Sequence, residues 1–140
     1  MAPGSLIKRA LKEAGFEVYR TQGDVIHVAE RVRENLIMDS GIRVGGSHLA
    51  VSFYARAEQR DFPGEEEAAL LARARRLGVP ALARGYREAR AFVTRVPDPG
   101  DPDRTLDHWY QVQFEKLVDD VDAAIEEVRF AHALTKAVRR

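Results

Sequence analysis

Residues 105–132, TLDHWYQVQFEKLVDDVDAAIEEVRFAH, constrain the fold more than any other stretch of the chain. Tyr110, Val112 and Phe114 alternate with Trp109, Gln111 and Gln113, the period-two signature of a strand with one apolar face. The period then changes without a break. Leu117, Val121, Ala124, Ile125 and Val128 recur at three- and four-residue steps and line one stripe of a helix. Asp119, Asp120 and Asp122 crowd its first turns, while Arg129, Lys136, Arg139 and Arg140 lie toward its end, the order that suits the helix dipole. A strand that runs straight into an amphipathic helix requires a sheet and a layer to cover it.

The preceding residues supply both. Residues 5–14 predict a short helix capped by Ser5, with Leu6, Ile7, Ala10, Leu11 and Ala14 as its stripe. Gly15 is its left-handed C-terminal cap, and Phe16 folds back on the last turn. Residues 16–20 and 24–30 alternate and form a hairpin across Thr21-Gln22-Gly23-Asp24, with Phe16, Val18, Ile26 and Val28 inward. Leu36-Ile37-Met38 is a short apolar run that ends in a turn at Asp39-Ser40-Gly41. Ile42-Arg43-Val44 is a further strand piece, and the pairing of residues 31–47, with its own sheet or with a second subunit, stays open. In residues 48–56, Leu49, Val51 and Phe53 face one way and Ala50, Ser52, Tyr54 and Arg56 the other.

Acids after Pro63, followed by Leu70, Leu71, Ala74 and Leu77, predict a helix that stops at Gly78, with Val79-Pro80 marking the break. Residues 81–85 make a turn of helix. Residues 86–96 read as a strand because Phe92-Val93-Thr94 is β-rich, with a helix as the alternative. Three prolines and a glycine in residues 97–103 predict an exposed, mobile loop joining two strands. The expected architecture is a single α+β domain over residues 1–140, an antiparallel sheet flanked by helices in the order α-β-β-β-α-β-β-α.

Composition narrows the function. Lys+Arg and Asp+Glu are equal at 22 each. Zero net charge removes the usual basis for non-specific binding to nucleic acid or anionic membranes, and it leaves little repulsion to keep copies apart. There is no cysteine, so disulfides and thiolate metal sites are excluded. The N-terminal residues lack the apolar core of a secretory signal, and no apolar run is long enough to span a membrane. These features together predict a cytoplasmic protein.

No motif fixes a chemistry. His27 and His48 could approach one another across strands and hold a metal with Asp24 or Asp39, but none of the four histidines has the close spacing of paired ligands, so surface or boundary positions are the plainer reading. Gly23-Asp24 before a strand resembles the first half of a restriction-endonuclease metal site. The second half, an acid-x-Lys, is missing, and Glu58-Gln59-Arg60 has arginine in its place. Gly45-Gly46-Ser47-His48 precedes a strand rather than a helix, so it reads as a linking turn and not a phosphate cradle. Arg73, Arg75, Arg76, Arg84, Arg87, Arg90 and Arg95, with Tyr86 and Phe92 nearby, could form an RNA groove, against which zero net charge counts.

Trp109 carries the most weight. It points opposite to Tyr110, Val112 and Phe114, so it lies on the outer face of the sheet with Gln111 and Gln113, where Tyr54 can join it. Aromatics on an open sheet face mark interfaces, and the rival reading is that a dimer mate or the 97–103 loop covers them. The expectation is therefore a partner-binding surface of Trp109, Tyr54, Gln111 and Gln113, with no catalytic residue, no metal and no cofactor.

The opening helix capped before Phe16, the acidic-start helix after Pro63 and the YQVQF strand leading into the last helix resemble the type III secretion chaperone-like fold, including its YbjN-type relatives. The resemblance covers residues 5–132. It implies a small, non-catalytic homodimer that binds segments of another protein. Secretion chaperones are typically acidic and this chain is neutral, which favours a relative acting on some other partner.

Overall fold

The computed structural model describes residues 4–138. Helix α1 (Gly4–Glu13) leads into strands β1 (Glu17–Gln22), β2 (Val25–Arg33), β3 (Leu36–Gly45) and β4 (Ala50–Glu58). A 3-10 turn (Gln59–Asp61) and helices α2 (Glu67–Leu77) and α3 (Val79–Ala83) follow, then β5 (Arg87–Asp98), β6 (Asp101–Leu117) and α4 (Val121–Val138). The fold is α+β, with an antiparallel sheet in the order β1-β2-β3-β4-β6-β5. The observed succession adds a full strand and a short helix to the expected one. Residues 36–45 form one continuous strand, and Pro80 sits in the first turn of α3, where its missing N–H is no loss. The chain divides into two compact units, one taking the residues up to Phe53 and again from Glu115, the other Tyr54 to Phe114.

In the first unit, α1 and α4 pack on each other and on the strands. Ile7 and Leu11 of α1, Ala124, Val128 and Ala131 of α4, and Ile26, Val28, Ile42, Val44 and Val51 of the strands are buried. Gly15 takes φ +90°, and the bonds Phe16 N–H to Leu11 O (2.9 Å) and Gly15 N–H to Lys12 O (3.0 Å) complete the expected C-cap. Ser5 lies inside α1 rather than capping it, because the helix already includes Gly4. Leu117 belongs to β6 and is exposed, so it is not part of the α4 stripe. Asp120 precedes α4, and its Oδ1 accepts the Ala123 N–H at 2.8 Å, a capping bond beyond the dipole role expected of the acids there. Arg139 and Arg140 lie outside the described residues.

Asp39-Ser40-Gly41 is a bulge inside β3, not a turn. His27 pairs with Arg43 and Ala29 with Asp39, so two steps on β2 match four on β3. Side chains replace the ladder bonds that the bulge removes. Ser40 Oγ donates to the Val28 carbonyl (2.6 Å) and accepts the Ile42 N–H (3.1 Å), and Asp39 Oδ1 accepts the Gly41 N–H (2.9 Å), with Gly41 at φ +83°. The chain reverses instead at Glu34-Asn35, so residues 31–47 pair within their own sheet. A second irregularity, between Val18 and Arg20 on β1, sets Arg20 beside His27 rather than on the face of Val18.

In the second unit, Tyr110, Val112 and Phe114 are buried on one face of β6, together with Leu70 and Ala74 of α2 and Ala81 of α3. Gly78 lies between the two helices. Its φ is an ordinary −90°, and its need for glycine is spatial: a Cβ there would come within 2.1 Å of the Phe114 ring. The strand read over residues 86–96 is present as Arg87–Asp98, but residues 97–103 are not a loop. β5 and β6 form a long hairpin whose turn is only Pro99-Gly100. A two-residue turn makes its flanking residues, Asp98 and Asp101, the hydrogen-bonded pair. Pro97 and Pro102 then turn their nitrogens away from the ladder between these strands, where no N–H is required.

Candidate partner-binding face

The outer face of the second unit's sheet is built by period-two alternation on three adjacent strands. Tyr54 and Arg56 come from β4, Trp109, Gln111 and Gln113 from the central β6, and Arg90, Phe92 and Thr94 from the edge strand β5. All of the expected residues, Trp109, Tyr54, Gln111 and Gln113, are half-buried on it. They meet in two groups. The Arg56 guanidinium lies 3.9 Å over the Trp109 ring. Tyr54 and Phe92 reach toward each other over β6 and touch edge-to-face, with centroids 5.7 Å apart and planes at 85°. Arg90 lies 4.6 Å over Phe92 and donates from Nε to Gln113 Oε1 at 3.2 Å. Thr94 Oγ1 donates to Gln111 Oε1 at 2.9 Å.

Trp109 is also held from below. Its indole N–H donates to Asp107 Oδ2 at 3.2 Å, and Asp107 is buried. The other oxygen of that carboxylate accepts the backbone N–H groups of Arg60 (3.0 Å) and His108 (2.8 Å). Three N–H donors thus satisfy a buried acid, which fixes the ring. Asp107 was missed in the sequence, although it shares the parity of Trp109. In the sequence, Arg90 and Phe92 point only to a possible RNA groove and, for Phe92, to a β-rich strand, not to this face.

That groove does not form as imagined. Tyr86 is buried. Arg73 is tied to Glu65 by two bonds (2.7 and 2.9 Å), and Arg75 to Glu88 (2.8 and 3.4 Å). The hydrogen bond from Arg73 holds the Glu65 carboxyl below its ordinary range.

The histidine question is decided in the first unit. His27 is buried, which corrects its reading as a surface or boundary residue. Its Nδ1 accepts from Arg20 Nε at 3.3 Å and stands 3.8 Å from Asp39 Oδ2. Arg43 grips Asp39 through two bonds of 2.6 and 2.9 Å. Burial, with the nearby Arg43 charge, lowers the His27 pKa, and Asp39 opposes this only partly. Burial pushes the Asp39 carboxyl up, but the bonds from Arg43 and the Gly41 N–H outweigh it and hold the group below its usual range. His48 is exposed in the turn after β3. Among the described residues, no three His, Cys, Asp or Glu side chains come together to hold a metal. Asp24 is exposed in the turn before β2. Gly45, read as part of a linking turn, closes β3 where a Cβ would come within 2.2 Å of the Asp24 carbonyl oxygen.

No protein-family model, no curated protein and no solved structure matches this chain. Among the described residues, no helix is long and apolar enough to cross a membrane.

Proposed function

We propose that this chain is a non-catalytic, protein-binding module of chaperone or adaptor type, acting as a homodimer, and that it takes its partner on the face around Trp109. One observation carries the reading. Three aromatic side chains, Tyr54, Phe92 and Trp109, stand half-buried on one sheet face, interleaved with guanidinium, amide and hydroxyl groups. Aromatic and arginine side chains are the residue types that dominate protein–protein contact energies. The equality of acidic and basic residues supports self-association by removing net repulsion. Partner strands added to β5 are disfavoured near its turn, because Pro97 and Arg95 lie on that edge strand, so the face and not the edge is the surface of choice.

The test is capture of partners from lysate of the native organism on tagged wild-type chain and on Trp109→Ala, with light scattering on both. The expected result is a dimer that retains a stoichiometric protein, and a folded Trp109→Ala variant that does not. Equal capture by the two would remove the surface.

A further inference from the structure

We propose that His27 is a proton-operated latch on the edge strand β1: uptake of a proton exchanges its partner from Arg20 of β1 to Asp39 of β3 and frees the second half of β1 from the sheet. The groups that carry this lie in the first unit and do not involve the face around Trp109. His27 is buried on β2, with Arg20 opposite it on β1 and Arg43 opposite it on β3. Arg20 Nε donates to Nδ1 at 3.3 Å, so Nδ1 presents a lone pair and the ring is neutral, with its proton on Nε2. A proton added at Nδ1 removes that lone pair. Two charged N–H groups then face each other where a hydrogen bond stood, and like charges so close repel. An acceptor is already in place, since Asp39 Oδ2 stands 3.8 Å from Nδ1. Arg43 holds that carboxylate through bonds of 2.6 and 2.9 Å, and the Gly41 N–H fixes its Oδ1 at 2.9 Å. A small turn of the ring gives the imidazolium a charge-assisted bond to Asp39 and leaves Arg20 to water.

The surroundings make the exchange one-sided. Among the described residues, the charges that act on His27 are those of Arg43 and Asp39 on β3 and of Arg20 on β1. Helix α1 packs on the other face of β2, that of Ile26 and Val28, and brings no charge to the ring. Arg43 is tied to Asp39 on its own strand, whereas Arg20 is exposed and, among the described residues, bonds through its side chain to His27 alone. Arg20 is therefore the group that leaves. Among the described residues, polar side chains join β1 to β2 at two points, Glu17 with Arg31 and Arg20 with His27. Between them the ladder shifts: Val18 pairs with Val28 and Arg20 with His27, which leaves Tyr19 without an opposite residue. Losing the second point frees residues 20–22 and spares Glu17 and Val18. Burial, helped by the Arg43 charge, keeps the ring neutral until the pH falls below the ordinary imidazole range, so the latch is closed at neutral pH and opens in acid.

The test follows the full chain by NMR through an acid titration. Ring signals of His27 report its protonation, and amide exchange, corrected for the intrinsic effect of pH, reports the protection of each strand. The amides that bond between residues 20–22 and 25–27 should lose roughly fivefold or more of their protection in step with the protonation of His27, while those of Glu17, Val18 and the β2–β3 ladder change less than about twofold. Arg20→Gln, at an exposed side chain, should raise the pH at which His27 titrates, because one positive neighbour is gone. It should also leave residues 20–22 weakly protected at every pH. His27→Gln takes up no proton and should abolish the pH dependence. Protonation of His27 with these amides still protected would overturn the proposal, as would a loss spread evenly over β1, β2 and β3. A His27 that stays neutral until the whole chain unfolds, or a pH dependence of residues 20–22 that survives Arg20→Gln, would do the same.

Discussion

The two units treat the second face of their sheets in opposite ways. In the first, β2 is closed on both sides: His27 and Ala29 are as inaccessible as Ile26 and Val28. In the second, β6 buries Tyr110, Val112 and Phe114 and leaves Trp109, Gln111 and Gln113 half-exposed. The closed face is sealed by polar groups, Arg20, His27, Asp39 and Arg43, that satisfy one another. The open face is lined by aromatics whose contacts with water are only partly removed. A surface that spends apolar area on water is retained where something else is to cover it. The comparison separates a unit whose central strand is closed on both faces from one that keeps an open face.

The largest effect expected from a single substitution comes from the backbone of the closed unit. Gly45→Ala places a Cβ at 2.2 Å from a main-chain oxygen, in a residue at φ +127°. Neither partner can rotate away, so the loss should be roughly 4 kcal/mol, combining strain with overpacking. Gly78→Ala in the other unit meets the far end of the Phe114 ring, a side chain that can tilt. It should cost about 2 kcal/mol. Urea unfolding of both variants measures the difference, and the reverse order would mean that the Phe114 ring is the less yielding neighbour.

The same two hairpins show what the sequence made legible. Alternation in residues 109–114 and the stripe at Ala124, Ile125 and Val128 marked the buried faces, because burial on one side leaves a period in the residue types. Turn residues misled in both places for one reason: Asp, Ser, Gly and Pro report local backbone preference and not where the ladder ends. Asp39-Ser40-Gly41 carries a bulge whose missing bonds its own side chains supply. Pro97 and Pro102 flank a two-residue turn with their nitrogens directed away from it. Trp109 was legible through parity alone. Arg90 and Phe92 come from a strand whose register against β6 no local pattern records, so their arrival beside Gln113 and Tyr54 could not be read.

Next in size is the bulge itself. Ser40→Ala removes a buried hydroxyl that donates to the Val28 carbonyl and accepts the Ile42 N–H, and it leaves both backbone groups unpaired. About 2 kcal/mol of stability should be lost. Acid should loosen the same region. The folded pKa of His27 lies below its ordinary value, so the unfolded chain takes up the proton first. The contribution of His27 is fully present above the unfolded value of about 6.5 and is lost as pH falls through the folded value. Urea midpoints for the wild type and for His27→Gln should therefore diverge less as pH drops below 6.5. Parallel curves across that range would show that His27 titrates alike in both states.

The smallest expected loss of stability lies on the open face, and it is the one that most sharpens the comparison. Phe92→Ala removes the edge-to-face contact with Tyr54 and the seat of Arg90. Contacts of this kind on a half-exposed ring contribute about 1 kcal/mol. Deleting a buried ring such as Phe114 should cost about 4 kcal/mol by contrast. Partner capture, however, should fall with Phe92→Ala, since Arg90 then regains the rotamer freedom that its stack removed. If Phe92→Ala proves as destabilising as Ser40→Ala, the ring belongs to the packing of the unit, and the distinction between a closed face and an open one fails. If stability barely moves while capture is lost, the aromatic row is kept for the partner and not for the fold.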